Sequence, residues 1–120
     1  FVSPVPIAGD ESILSLPDVT AAPGRFDVIN IKLDKCGGLT EGLLMAAEAR
    51  RLGLGVMVGT MVGTSLATAP GFVLGQGCDL VDLDGPTFLV SDHVPSVDYR
   101  NGMVWSGPEV WGTAGTQASR

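Results

Sequence analysis

Apolar and polar positions follow one rhythm over most of the chain: a short apolar run, then an amphipathic or broken stretch, then another run. Four such runs predict strands, over residues 5–10, 27–34, 55–61 ("GVMVGTM") and 79–84 ("DLVDLD"). Short runs this rich in apolar residues fit parallel strands covered on both faces. Between the second and third lies "EGLLMAAEARRLG", where Met45, Ala49 and Leu52 fall on one stripe with Ala46 beside it, and Glu48 and Arg51 point away. That pattern predicts a helix capped by Thr40 and closed by Gly53. Residues 65–74 form a second helix candidate, interrupted by Pro70 and Gly71. Residues 16–22, broken by Pro17, predict one or two loose turns.

After Pro86 the rhythm changes. "SVDYRNGMVWSG" holds two β-like runs around Arg100-Asn101-Gly102, a hairpin signal. The organisation predicted is therefore a β/α unit over residues 1–88, a hairpin return over 89–112 and a frayed tail over 113–120. Strand–helix–strand repeats build a parallel sheet with right-handed crossovers. An open doubly wound sheet and part of a (β/α)8 barrel both fit. "KCGGLTEG" lacks the G-x-G-x-x-G spacing, so a nucleotide-binding fold loses ground.

Composition narrows the function classes. The chain has 120 residues, 45% of them hydrophobic, which suffices for one core and excludes a disordered chain. A net charge of −6 weighs against a nucleic-acid footprint. No apolar run reaches about 18 residues, so no membrane span is expected, and no signal peptide is apparent. Cys36 and Cys78 are too few for a disulfide framework, and a reduced, cytoplasmic setting is expected.

The candidate chemistry sits at the strand ends, where the C-terminal edges of parallel sheets carry their sites. The first strand ends Asp10-Glu11-Ser12, the second carries Lys32 and ends Asp34-Lys35, and the fourth ends "VDLDG". Strand alternation puts Lys32 on one face with Asn30 and Asp34, opposite Ile29, Ile31 and Leu33; it puts Asp82 with Asp84, opposite Val81 and Leu83. If the apolar set packs on helices, the polar set converges on one interior site. The plain alternative is that each strand-end aspartate caps a turn and that Lys32 joins a structural ion pair. Against it, two carboxylates on one face repel unless a cation, metal or ammonium, sits between them. His93 in its Pro-rich turn reads as structural. Trp105 and Trp111 read as packing residues, Met45, Met57 and Met61 as core filling, and Cys78 as a small buried hydrophobe.

The quoted segments "VPIAGDES", "INIKLDKCGGLTEGLLMAAEAR", "VGTMVGTSLA" and "DLDGPTFL" together resemble the barrel of the enolase superfamily, in its muconate-lactonizing subgroup. Within it they look most like dipeptide epimerases of the L-Ala-D/L-Glu type, over about residues 4–100. The resemblance implies barrel strands five to eight. It implies Asp10 as a Mg2+ ligand, Lys32 as one of two catalytic bases, and Asp82 and Asp84 as the holders of the dipeptide's ammonium group, with Thr60 a substrate contact. Lys35 matches the motif's second lysine, which is not the base. The activity implied is two-base proton transfer at an α-carbon, in recycling of cell-wall peptides, with Lys32 kept neutral by the metal and the facing lysine.

The family's K-x-K, its first two metal ligands and its capping domain have no counterpart here, "SGPEVWGT" replaces the usual "PGLG" ending, and Cys36 stands where Thr is common. The chain is therefore expected to be a fragment with open sheet edges, inactive alone, whose partners are a dipeptide substrate and the missing barrel half and cap; a homo-oligomer stays open. A cycloisomerase, an N-acylamino-acid racemase or a succinylbenzoate synthase is the alternative, disfavoured by the D-x-D.

Overall fold

The computed structural model describes residues 2–111; the frayed tail expected over 113–120 lies outside them. Four parallel strands form one sheet in sequence order: β1 (Ala8–Gly9), β2 (Val28–Lys32), β3 (Gly55–Gly59) and β4 (Leu80–Asp82). Helices α1 (Leu16–Thr20), α2 (Leu33–Cys36), α3 (Leu39–Arg51) and α4 (Ser65–Gly75) fill the crossovers. An antiparallel hairpin follows, β5 (Asp98–Arg100) with β6 (Met103–Trp105). Its turn residues Asn101 and Gly102 both have positive φ, as a two-residue I′ loop demands. The strand order is that of successive barrel strands, so the barrel reading holds. Among the described residues β1 and β4 each pair on one side alone, and no helix is long and apolar enough to cross a membrane.

Each strand is shorter than its apolar run. The 27–34 run leaves β geometry after Lys32, because Leu33 opens α2 and packs its side chain over Gly42 of α3. Asp34 therefore does not share the strand face with Lys32, a correction to the alternation reading. Gly37 and Gly38, at φ 92° and 123°, then swing the chain into α3, with Gly38 rather than Thr40 at the N-cap. Pro70 and Gly71 do not interrupt α4, which runs unbroken through both. A proline there costs about 3 kcal/mol; burial of Ala69 and Leu74 and the Thr64 cap on the Ala67 amide offset it. Residues 16–20 form a short regular helix where one or two loose turns were expected, its start held by Asp18, which accepts from Leu14 N, Ser15 N and Ser15 Oγ.

The core lies on the helix side of the sheet. Ile29, Ile31, Val56 and Val58 are wholly buried there, against Met45 and Ala49 of α3 and Leu74 of α4. Coverage on both faces is not realised: Leu80 and Val81 on the edge strand β4 are about half exposed, as is Met61, which is not core filling.

Candidate active site

The opposite face of the sheet carries the polar residues. Along it the register aligns Lys32 of β2 with Gly59 of β3, and Gly59 with Asp82 of β4. Lys32 and Asp82 thus stand two strand spacings apart, about 10 Å between Cα atoms, with a residue that has no side chain between them. A methyl group at Gly59 would lie 2.8 Å from Asn30 Oδ1, so this glycine also gives room to Asn30 beneath it.

Asp10 follows β1 and is the hub of the β2 side. Lys32 Nζ lies 3.0 Å from its Oδ2 and Lys35 Nζ 2.7 Å from its Oδ1, while Asn30 Nδ2 donates to Oδ2 at 3.1 Å. Lys35 also donates to the Asp10 carbonyl at 2.9 Å, which fixes the residue's backbone. Glu11 stands 3.7 Å from both lysines and is mostly exposed. Burial works to raise the Asp10 carboxyl, but hydrogen bonds and charge from Lys35 and Lys32 outweigh it and hold it below the ordinary carboxylate range. Burial likewise works to lower Lys32, yet its bond to Asp10 and the charges of Asp10 and Glu11 raise it overall. In this arrangement the charges nearest Lys32 are carboxylates, and they favour its ammonium form.

The β4 side is acidic. Asp84 lies past the strand, capping a 3-10 turn over Gly85–Phe88, and its carbonyl accepts from Thr87 N and Oγ1. It still meets Asp82: burial first, then the charge and hydrogen bond of Asp84, push the Asp82 carboxyl up, while the charge of Lys32 draws it down. A carboxyl raised in part by a neighbouring carboxylate is relieved by a cation placed between the two. Thr60 directly follows β3, with its Oγ1 buried and without a hydrogen-bond partner; Asn30 Oδ1 is in the same condition. Such orphaned polar atoms are rare in native structures and call for a reason.

Strand geometry thus brings Asp10, Lys32, Thr60, Asp82 and Asp84 to one edge of the sheet. Asp34 points elsewhere, bonding to the Met61 amide at 3.3 Å. Asp10 suits a hard cation through its carboxylate oxygens, but among the described residues no three acidic, His or Cys side chains gather into a metal cage. The chain fits such an ion as the donor of one ligand.

A family model described as "Enolase C-terminal domain-like" matches residues 2–104. The chain belongs to this enolase C-terminal domain-like family. Among its curated relatives, the N-acetyl-D-glutamate racemase of Pseudoalteromonas sp is 42% identical, over 87% of this chain and 33% of the relative. The L-Ala-D/L-Glu epimerase of Escherichia coli (strain K12) is 43% identical over 85% of this chain and 32% of the relative. A crystal structure of an enolase family member from Agrobacterium tumefaciens, with homology to dipeptide epimerases and with sodium and L-Ala-L-Glu bound, is 50% identical. It superposes with a TM-score of 0.88 over 93% of this chain and 35% of that one. The dipeptide epimerase of Methylococcus capsulatus, solved with Mg and the dipeptide L-Arg-D-Lys, is 33% identical, with a TM-score of 0.67 over 72% of this chain and 26% of that one. The chain spans about a third of the length of the curated relatives it matches.

For this enolase-type barrel segment, sequence reasoning named one lysine without a role and overlooked one tyrosine. Lys35 anchors Asp10, which the I-K-x-x-K spacing hinted at. Tyr99 of β5 reaches the D-x-D segment, donating to the Leu83 carbonyl at 2.5 Å; no local pattern could have placed the hairpin there. Trp105 is half exposed, with Arg100 over its ring at 5.2 Å, and Trp111 is also partly exposed. Cys78 is partly buried, and burial pushes its thiol up.

Proposed function

We propose that this chain is the C-terminal barrel part of a Mg2+-dependent dipeptide epimerase of the L-Ala-D/L-Glu type, working in the cytoplasm on peptides recycled from the cell wall. The observation that carries this reading is the row Lys32–Gly59–Asp82: a base candidate and a cation-seeking carboxylate face each other across an open position. An α-amino-acid residue with a free ammonium end fits that gap.

Lys32 takes the α-proton from one face of the substrate or returns it there, and a second base, outside these 120 residues, serves the other face. Lys32 must be neutral to accept a proton, and Asp10 opposes this as long as it pairs with the ammonium group. Asp10 engaged on a divalent cation no longer does so. Asp82 and Asp84 hold the substrate's ammonium group, which relieves their repulsion. Thr60, directly after β3, is a further substrate contact. Bound Mg2+ supplies Lewis-acid stabilisation of charge at the substrate carboxylate.

The 42% identity with the Pseudoalteromonas racemase favours a second reading, racemisation of an N-acylamino acid. Such a substrate has no ammonium group and leaves Asp82 and Asp84 without a cation. The test is proton NMR in D2O on the full-length protein with Mg2+, offered L-Ala-L-Glu and N-acetylglutamate separately. Loss of the Glu α-proton signal with the dipeptide supports epimerisation. Exchange with N-acetylglutamate alone makes the racemase reading the correct one, and no exchange on any Ala-X dipeptide removes the first.

A further inference from the structure

We infer that Tyr99 is a positioning residue for the ammonium site, clamping the Asp82–Leu83–Asp84 segment so that both carboxylates face the substrate; this rests on the epimerase reading above. Leu83 is the pivot of that segment. Its side chain is buried, 3% exposed, and fills the space at Gly71 of α4, where an added methyl group would meet it at 2.8 Å. Its carbonyl accepts the Tyr99 hydroxyl at 2.5 Å. With side chain and carbonyl both fixed, strand alternation directs Asp82 to the opposite face.

Asp84 is held from the other direction. Its carbonyl accepts from Thr87, and Gly85 next to it packs so tightly that a methyl group there would sit 2.5 Å from the Met61 carbonyl and 2.9 Å from Thr60 Oγ1. The remaining freedom lies in the backbone between Asp82 and Asp84, where Tyr99 binds. The hairpin that carries Tyr99 is anchored in turn. Val97, two residues before it, is buried and donates its amide to Ser65 Oγ at 2.9 Å, and Ser65 donates its amide and hydroxyl to Asp92. Burial, with the charges of Asp84, Asp92 and Asp82, pushes the phenol up to about 12, so Tyr99 stays a hydrogen-bond donor across the working pH range.

Tyr99→Phe removes the hydroxyl and keeps the ring. In the full-length protein with Mg2+, this variant should raise KM for L-Ala-L-Glu about fivefold, the worth of one ordinary hydrogen bond, with kcat within twofold and Tm lowered by only about 2–4 °C. A second readout needs no substrate: in a 13C-aspartate titration, the Asp82 midpoint should fall in Tyr99→Phe as the two carboxylates part. An unmoved Asp82 midpoint with unchanged KM overturns the inference, and so does a parallel loss of kcat and Tm, which marks a purely structural role. If the wild-type protein exchanges no dipeptide α-proton, the epimerase reading fails; an Asp82 midpoint that still falls in Tyr99→Phe then keeps the clamp, and one that does not removes it too.

Discussion

The two faces of the β2–β3 pair are built from the same ten residues and obey opposite rules. One face holds Ile29, Ile31, Val56 and Val58, all wholly buried under α3 and α4. The other holds Asn30, Lys32 and Gly59, with one orphaned oxygen and one strand-borne lysine paired to a carboxylate. The first face contributes apolar burial, at about 25 cal/mol per Å2, and nothing chemical. The second sets a lysine and a gap in register with Asp82 of β4, beside Asp84, an arrangement that costs stability through desolvation and like-charge repulsion. A strand's two-residue period lets one segment serve both ends, so mutations one residue apart should separate folding from activity.

The largest effect is expected at Lys32. Lys32→Ala in the full-length protein should lower epimerisation by more than the ~10²–10⁴-fold typical of one acid–base group, with Tm little changed, as turnover assays and calorimetry would show. Its neighbour across the strand should do the reverse. Ile31→Ala should cost about 2–5 kcal/mol of stability while the folded fraction keeps its turnover, measurable by urea unfolding and active-site titration. Asp82→Asn should raise KM for the dipeptide about tenfold or more, in line with loss of a charged hydrogen bond, and leave Mg2+ affinity nearly unchanged.

The smallest effect is one of pH. Asp82 has a raised carboxyl in the fold, so the folded state binds its proton more readily than the unfolded chain does. That group opposes stability at neutral pH and ceases to do so as pH falls through its folded pKa. Asp82→Asn should therefore raise stability slightly at pH 7, by under about 1 kcal/mol, seen as a small rise in Tm, and the advantage should vanish in acid. Asp10 and Asp92 have the opposite sign: both are lowered, so their stabilisation is present above the ordinary carboxylate value of 3.8 and is lost as pH falls through their folded values. A Tm-versus-pH series on wild type and variant separates the two.

Much of this contrast was legible in the chain. Alternation alone put Lys32 opposite Ile29 and Ile31, and Asn30 beside it. It failed at Leu33, because an apolar residue that continues a strand pattern looks the same as one that opens a helix; the packing of Leu33 on Gly42 decided between them. Pro70 misled because burial around α4 outweighs a local propensity. The Asp82–Asp84 pair was found by spacing, although Asp84 reaches it from a 3-10 cap and not from the strand. Tyr99 was invisible: the Asn101-Gly102 turn announces a hairpin, but its place against Leu83 is set by contacts 16 residues apart in the chain.

The central claim is that Lys32 serves one face of the substrate's α-carbon. The most direct test is deuterium exchange by the full-length Lys32→Ala variant, run separately on L-Ala-L-Glu and L-Ala-D-Glu. Inversion should stop, and exchange should survive with one of the two diastereomers, the one whose α-proton faces the remaining base. Continued inversion, or undiminished exchange with both, would contradict the claim.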